Sequence, residues 1–257
     1  MIVLSRSFSR ILEEVGSQVL FFRRLVRSIF RTGFEWNELA RQSYNIGVRS
    51  LPLVAVAGLV VGLVITIQTD PTMKYFGASS YTPSMIAISV VREIGPVVIA
   101  LICAGKVSSG IGAELGSMTV TEQIDAMDVS GADPMQYLVA TRVLACMLMI
   151  PLLTLLGDVI ALVGGYIGQN MDRSVSVIYY YQKAFKYLVY SDLIPSVIKT
   201  VFFGFAIGFV GCYKGYNAAG GTEGVGTAAN SAVVYASFWI IILDAMAAQL
   251  TNIFVYQ

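Results

Sequence analysis

Residues 92–143 read REIGPVVIALICAGKVSSGIGAELGSMTVTEQIDAMDVSGADPMQYLVATRV, and this stretch decides the fold. It begins inside one apolar run and ends inside another, whereas its middle, 106–136, is too polar to cross a bilayer. A polar segment between two apolar runs of about 20 residues or more is typical of a loop that joins two membrane spans. The stretch therefore predicts a membrane protein with an organised loop between spans near 84–105 and 137–168.

The composition of the whole chain agrees with a membrane location. Of 257 residues, 56% are hydrophobic and 13% are charged, and the mean hydropathy is +0.71, which is too apolar for a water-soluble domain. A net charge of +1 gives no basic surface for nucleic acid. The chain has no histidine, so it lacks the commonest metal ligand and the usual base of serine and cysteine hydrolases. We therefore expect no metal site and no catalytic residues. We expect Cys103, Cys146 and Cys212 to be packing residues, because their number and spacing fit neither disulfides nor a zinc site.

Five apolar runs are long enough to cross about 30 Å of hydrocarbon, which takes about 20 helical residues. They lie near 51–69, 84–105, 137–168, 192–214 and 228–254. The sequence therefore predicts an all-α integral membrane protein, with five transmembrane helices in 51–257 and an interfacial region in 1–50.

Residues 4–30 predict an amphipathic helix at the membrane surface. Apolar side chains recur every three or four residues, which keeps them on one helical face: Leu4, Phe8, Ile11, Val15, Val19, Phe22, Val26 and Ile29. The arginines at 6, 10, 24, 27 and 31 lie on the other face. Such a helix before a membrane span is typical of one that lies in the headgroup plane, where anionic lipid attracts the basic face. The alternative is an ordinary cytoplasmic packing helix.

The distribution of basic residues predicts the orientation. With the N-terminus inside, eleven lysines and arginines fall on the inner side of the membrane and four on the outer side. Because inner segments carry the excess of positive charge, we expect the N-terminus inside and the C-terminus outside. The outer segment 170–190 also holds five tyrosines that suit an interfacial belt: Tyr179, Tyr180, Tyr181, Tyr187 and Tyr190.

Glycines four residues apart recur within the spans. They predict close helix–helix contacts, because a helix face without side chains lets two backbones approach. The pairs are Gly58 with Gly62, Gly164 with Gly168, Gly204 with Gly208, and Gly211 with Gly215.

The polar loop 106–136 predicts a short acidic helix over 119–131. Thr119 and Glu122 have the spacing of a capping box, Ile124 and Met127 share one face, and Gly131 can end the helix. An exposed acidic helix in such a loop is suited to docking into a groove on a soluble partner. A solvated loop helix without a partner is the alternative.

The stretch 92–143 resembles the signature region of the MlaE/YrbE permease family. The resemblance continues through PLLTLLGD at 151–158 and GG at 164–165, and it covers essentially all of 10–255. It implies the permease of an ABC transporter that moves phospholipid between the bacterial inner membrane and the periplasmic side and so serves outer-membrane lipid asymmetry. It also implies a homodimer, a cytoplasmic ABC ATPase and an MCE-domain lipid-binding protein. One departure is Thr141, where the family often has proline before the arginine.

The resemblance makes the 119–131 helix the coupling helix that contacts the ATPase. The contact residues would be Glu122, Gln123, Asp125, Ala126 and Met127. The chain has no G-x-x-x-x-G-K-[ST] sequence and therefore no P-loop. We expect no cofactor in this chain and ATP bound by the partner.

Ionisable residues also occur deep within four of the spans, where they are costly and usually face a cavity or one another. At ~1.5 Å per residue, all of them lie roughly 11 to 16 Å below the outer surface: Arg92, Glu93, Asp158, Lys199 and Asp244. One interpretation is a structural network of ion pairs. The other is a lipid cavity in which Arg92 and Lys199 meet a phosphate, with Pro96 disturbing the helix beside them.

The apolar walls of such a cavity could come from the outer half of the first span and from the residues just after it. The candidates are Val64, Ile65, Ile67, Tyr75 and Phe76. Hydrophobic residues of a membrane helix more often face lipid or pack against protein.

Two other classes of function are open to the same residues. A secondary transporter or channel would use the buried charges as an ion relay, but it predicts an inverted repeat that five spans do not supply. A membrane enzyme would act through Glu93 or Asp244, but the chain has neither H-E-x-x-H nor G-x-S-x-G.

Overall fold

The computed structural model describes residues 2–31 and 33–254, with side chains from residue 12 onward, and this part of the chain is helical without strands. The helices are α1 Ile2–Ile29, α2 Trp36–Gly47, α3 Leu51–Tyr75, α4 Thr82–Ser89, α5 Gly95–Cys103, α6 Ser109–Val120, α7 Gln123–Val129, α8 Thr141–Asn170, α9 Val177–Lys186, α10 Tyr190–Tyr216 and α11 Gly221–Phe254. Short 3₁₀ or π-helical turns at Val48–Ser50, Ser79–Tyr81, Val90–Ile94, Ala104–Ser108 and Met135–Ala140 join several of them.

Five continuous helices are long and apolar enough to cross a membrane, which confirms the predicted all-α membrane architecture. They are Trp36–Tyr75, Ser79–Val120, Met135–Asn170, Tyr190–Tyr216 and Gly221–Phe254. Helix α7 joins the second span to the third, and α9 joins the third to the fourth, so these two helices lie at opposite ends of the bundle. We call these the α7 end and the α9 end.

The second span is longer than the sequence predicted. It continues through α6 to Val120, so the expectation that the loop begins at residue 106 is wrong. The serines and glycines here are small enough to pack between helices rather than to form a loop. Ser108 is fully buried and donates a hydrogen bond to the Ala232 carbonyl of α11 (3.3 Å), and α6 packs against both α10 and α11.

The paired glycines lie at close helix contacts, as predicted. A Cβ added to Gly58 on α3 would lie 2.6 Å from the carbonyl oxygen of Gly157 on α8. A Cβ on Gly204 of α10 would lie 2.5 Å from the carbonyl oxygen of Cys146, also on α8. The third span is therefore the centre of the bundle, with the first and fourth spans packed tightly on either side.

Helix α1 packs on the bundle through a stripe that overlaps the predicted apolar face only in part. Of that face, the Phe22 ring meets those of Phe205 and Phe209. Ile29 packs against the core. Phe21 and Leu25 are buried, and the Phe21 ring meets those of Tyr213 and Tyr216 at 5.5 and 5.7 Å between centroids. Val15 and Val19 of the predicted face are 52% and 60% exposed. The side chains of the predicted positions 4, 6, 8, 10 and 11 lie outside the described residues. In the described part, α1 has one apolar stripe against protein and another facing outward.

The tyrosines after the third span do not all form an exposed belt. Tyr187 and Tyr190 are 43% and 81% exposed, but Tyr180 is fully buried and meets Tyr166 edge-on at 5.5 Å. Tyr180 faces inward because α9 folds back and packs against α4. Burial raises the pKa of the Tyr180 hydroxyl above its ordinary range.

The third span begins with the turn Met135–Ala140 directly after Pro134. The Thr141 hydroxyl donates to the Tyr137 carbonyl (2.6 Å), which satisfies a group that this irregular turn leaves open. The three cysteines are buried and free, as expected of packing residues.

Candidate functional site

A cavity of about 260 Å³ opens at the α9 end of the bundle, between the second, fourth and fifth spans. Its walls come from the π-helical turn of the second span, from the first turns of α10 and from the end of α11. The lining residues are Arg92, Glu93, Asp192, Pro195, Ser196, Lys199, Ala248, Thr251 and Asn252.

The turn Val90–Ile94 gives Arg92 and Glu93 their place on the cavity wall. Pro96 follows at the start of α5 and has no backbone N–H, so the normal hydrogen bond to the carbonyl of residue 92 is absent. The helix widens into a π-turn, a feature that is frequent at functional sites. The predicted disturbance by Pro96 is therefore present where the charges lie.

Arg92 and Asp192 form a tight ion pair across the cavity mouth. The Arg92 Nε and Nη2 atoms lie 2.7 and 2.6 Å from Oδ1 of Asp192. The other carboxylate oxygen of Asp192 accepts a hydrogen bond from the Val189 backbone N–H (3.1 Å), so the residue also caps α10. Arg92 keeps 38% of its side chain exposed, whereas the Asp192 side chain is fully buried.

Lys199 connects three spans at the base of the cavity. Its Nζ atom lies 2.5 Å from Glu93 Oε2 of the second span and 3.0 Å from Asp244 Oδ1 of the fifth. The lysine side chain is only 5% exposed, whereas that of Glu93 is 46% exposed. A buried cation between two carboxylates holds the three helices together, since separation would leave charges unpaired in an apolar medium.

Asp158 lies apart from the cavity wall, although the sequence placed it at the same depth. Its side chain is buried beside Gly95, and its carboxylate oxygens have no hydrogen-bond partner among the described residues. The structure therefore brings Arg92, Glu93, Lys199 and Asp244 together and leaves Asp158 in the core.

The predicted apolar wall residues are not part of this cavity. Val64 and Ile67 lie on an exposed face of α3, 41% and 49% exposed, and Tyr75 at its end is 87% exposed. Ile65 instead packs against buried residues of the second and third spans, and Phe76 is 71% exposed. In the single chain, the α3 candidates face outward or pack elsewhere.

Sequence reasoning missed Asp192, which stands at the first position of the predicted fourth span, 192–214. The signal was available, because an acidic residue near the outer end of one span can pair with Arg92 of another. It also missed the buried Asp70, which lies just beyond the predicted end of the first span. Asp70 Oδ1 lies 2.6 Å from Arg173 Nη2 and ties the α9 ends of the first and third spans together.

The predicted coupling region forms a shorter helix, α7, preceded by a sharp turn. The capping box is wrong: Thr119 ends α6 and donates to the carbonyls of Leu115 (2.9 Å) and Gly215 (3.1 Å). Glu122 has a left-handed backbone (φ 59°) and precedes α7. Gly131 ends the region as predicted, with φ 84°, and its N–H donates to the Asp128 carbonyl (3.0 Å).

Helix α7 presents an acidic outer face. Ile124 is buried and Met127 packs against the main core, as the predicted shared face requires. Exposed on the other side are Glu122, Gln123, Asp125, Ala126 and Asp128. Val129 at the end of α7 is 90% exposed, an apolar group that the sequence analysis did not single out.

Comparison with known proteins matches residues 39–250 to the family described as Permease MlaE. A probable ABC transporter permease protein of Rickettsia typhi is 37% identical over 238 residues, which is 93% of this chain and 92% of that protein. A probable ABC transporter permease protein of Synechocystis is 32% identical over 84% of this chain and 86% of its own length. The chloroplastic TRIGALACTOSYLDIACYLGLYCEROL 1 protein of Arabidopsis thaliana is 31% identical over 86% of this chain and 63% of its own length.

Proposed function

This chain belongs to the MlaE permease family, and from that premise we propose that it moves phospholipid between the bacterial inner membrane and the periplasmic side. It is an ABC transporter permease and works as a transport subunit. In the proposal, a separate ATPase chain supplies the energy, and the permease supplies the path.

The observation that carries the proposal is the charged cavity between the second, fourth and fifth spans. Arg92 is partly exposed there, and its guanidinium group suits the bidentate recognition of a phosphate. The carboxylate of Asp192 now holds that guanidinium group, so an arriving phosphate would exchange with it. The acyl chains would remain in contact with apolar span surfaces.

The ATPase would dock on α7. Its exposed carboxylates and the exposed Val129 offer a small acidic and apolar surface on a helix whose other face is fixed to the core. A short helix held in this way can transmit movement of the partner to the second and third spans, which it joins. Glu122, Gln123, Asp125 and Ala126 are the contact residues in this proposal, whereas Met127 anchors the helix.

A second copy of the chain would cover the outward faces of the first and fifth spans. Val234, Phe238 and Ile241 of α11 are 66%, 61% and 57% exposed in one protomer. In a homodimer, Val64, Ile67 and Tyr75 of α3 would extend the walls of a shared lipid path. The α9 end would carry the MCE-domain lipid-binding protein.

The proposed location is the bacterial inner membrane, with the N-terminus in the cytoplasm and the C-terminus in the periplasm. The excess of basic residues at the α7 end supports this orientation. It places the cavity on the periplasmic side and α7 on the cytoplasmic side, where an ATPase has access to ATP.

Purification of the tagged chain from its native membrane in mild detergent tests the proposal. Mass spectrometry of the eluate should identify an ABC ATPase in fixed ratio to this chain, an MCE-domain protein and co-purified phospholipid. An eluate without an ATPase, from membranes in which ATPase subunits are detected, would overturn the proposal. Transport that follows an ion gradient without ATP would favour the secondary transporter instead.

A further inference from the structure

A second polar cavity lies at the α7 end, on the opposite side of the bundle from the Arg92 cavity. It has a volume of about 580 Å³ and lies between α1 and the segment that leads into the third span. Its lining residues are Arg24, Arg27, Ser28, Arg31, Asp133 and Met135. We call it the α1 groove.

The α1 groove carries an excess of positive charge. Asp133 is its only acidic lining residue, and both of its carboxylate oxygens are engaged. Oδ2 lies 2.7 Å from Arg31 Nη1, and Oδ1 accepts the backbone N–H groups of Met135 (3.0 Å) and Gln136 (3.3 Å). Arg24 and Arg27 have no ion-pair partner among the described residues, so two guanidinium groups line the groove outside any salt bridge.

Ser28 provides an independent sign of a missing ligand. It lines the groove, is only 4% exposed, and its Oγ atom has no hydrogen-bond partner in the described part of the chain. A helical serine can satisfy its hydroxyl on a carbonyl of its own helix, as Ser17 does with Glu14 (2.9 Å) and Ser231 with Thr227 (2.7 Å), but Ser28 does not. A buried hydroxyl without a partner is costly, and an anionic oxygen in the groove would supply that partner.

The surroundings indicate that the anion is attached to apolar chains. Val26 of α1 and Phe30 directly after this helix are 36% and 84% exposed, and Val19, about two turns before Val26, is 60% exposed. An arginine-rich helix with an outward apolar stripe, next to the first membrane span, is suited to the boundary between headgroups and acyl chains. A phosphate in the groove and acyl chains along that stripe would satisfy both features.

We propose that the α1 groove binds the phosphate group of an anionic phospholipid, held by Arg24, Arg27 and the Ser28 hydroxyl. This lipid is distinct from the transported one, because it lies at the other end of the bundle from Arg92. The groove that it would occupy lies between α1 and the segment at Asp133, which follows α7.

Native mass spectrometry of the purified full-length chain tests this site. The chain is delipidated in detergent and titrated with phosphatidylglycerol, with phosphatidylcholine, or with inorganic phosphate alone, and bound lipids are counted per chain. The double variant Arg24→Gln/Arg27→Gln should bind one phosphatidylglycerol fewer per chain, with about tenfold weaker affinity at that site. Ser28→Ala should weaken the same site by about fivefold without loss of thermal stability, because its hydroxyl has no protein partner to lose.

The matched control is Arg41→Gln/Arg49→Gln, which removes the same charge from exposed arginines that do not line the groove. It should bind phosphatidylglycerol as the wild type does. Equal lipid counts in the groove variants and the control would overturn the proposal. Binding of inorganic phosphate at the same concentrations, with no preference for phosphatidylglycerol over phosphatidylcholine, would overturn the lipid assignment. Lipid at the Arg92 cavity is unaffected by these variants, so the outcome is separate from that of the proposed function.

Discussion

The Nζ atom of Lys199 lies 2.5 Å from Oε2 of Glu93, an ion pair that joins the fourth span to the second within the bundle. Asp244 of the fifth span shares the same lysine at 3.0 Å. One nearly buried cation therefore connects three helices and forms the base of the cavity. Both a structural and a transport role follow from this arrangement, and the first two predictions separate them.

Replacement of Lys199 by alanine should destabilise the protein. It leaves Glu93 and Asp244 as neighbouring carboxylates without their cation, and loss of one partner of a buried pair costs about 3 kcal/mol. We expect a lower thermal unfolding temperature in detergent. Lys199→Arg keeps the charge and should recover most of the loss, whereas the control Lys183→Ala, on α9, should unfold with the wild type. An unchanged unfolding temperature for Lys199→Ala would show that the ion pairs do not hold the spans.

Replacement of Arg92 by alanine should reduce the phospholipid that co-purifies with the complex. The change removes the partly exposed guanidinium group that would bind a phosphate, and a charge-assisted contact of this kind is worth about 1.5–3 kcal/mol. Extraction and phosphorus assay measure the lipid per complex. If the lipid content stays at the wild-type level and only thermal stability falls, the charges are a structural network.

Charge reversal on α7 should uncouple the permease from its ATPase. The double variant Glu122→Lys/Asp125→Lys changes two exposed carboxylates and leaves Ile124 buried, so we expect a folded, inserted protein that no longer retains the ATPase on purification. The matched control Glu35→Lys reverses an exposed acidic residue just before α2, at the same end of the bundle. Wild-type ATPase retention and transport in the double variant would remove α7 from the coupling role.

A methyl group at Gly62 should separate the first span from the third. A Cβ there would overlap the carbonyl group of Ala161 on α8, and overpacking of this kind costs about 1–3 kcal/mol. Gly62→Ala should lower the unfolding temperature, whereas Gly110→Ala, where a Cβ meets open space, should not. Equal stability of the two variants would contradict the tight contact between α3 and α8.

The Tyr180 hydroxyl should be dispensable at neutral pH and costly at high pH. It is buried without a hydrogen-bond partner among the described residues, so Tyr180→Phe should unfold at or above the wild-type temperature. Burial raises the pKa of the Tyr180 hydroxyl in the folded protein above its value of about 10 in the unfolded chain. The free energy of unfolding therefore keeps its full value below about pH 10 and falls as the pH rises further, because the unfolded chain then loses the phenol proton more readily than the folded protein does. A circular-dichroism melt series from pH 8 to about 11 should show this loss in the wild type but not in the variant.

Tyr180→Ala also removes the ring contact with Tyr166, so it should lower the free energy of unfolding by about 3–5 kcal/mol. A similar loss in Tyr180→Phe would contradict the prediction, because it would show that the hydroxyl makes a hydrogen bond.

The spans could be predicted because the bilayer sets one requirement, a long apolar helix, that each run satisfies by itself. The extension of the second span to Val120 could not be predicted from the sequence. Ser108 and Gly112 become compatible with burial only because Ala232 of α11 packs against them. Pairwise packing is a property of two segments. Hydropathy along one segment does not report it.

The charged site was predicted in part for the same reason. The position of a residue along its helix gives its depth, and so the sequence could place Arg92, Glu93, Lys199 and Asp244 at one depth. The rotation of each helix about its axis decides which of these side chains point into the cavity, and the sequence does not give that rotation. Asp158 has the right depth and the wrong face, beside Gly95.

In the coupling region, the local pattern predicted the end of α7 near Gly131 but not its start. The start was missed because the Thr119 hydroxyl bonds to the Gly215 carbonyl of the fourth span instead of capping α7.

The most direct test is ATP-dependent phospholipid transfer by the purified complex in proteoliposomes, measured with a radiolabelled phospholipid. We expect transfer by the complete complex with ATP, no transfer when the ATPase subunit is left out, and strongly reduced transfer for Arg92→Ala. Transfer at the wild-type rate without the ATPase subunit or ATP would contradict the assignment as an ABC lipid permease.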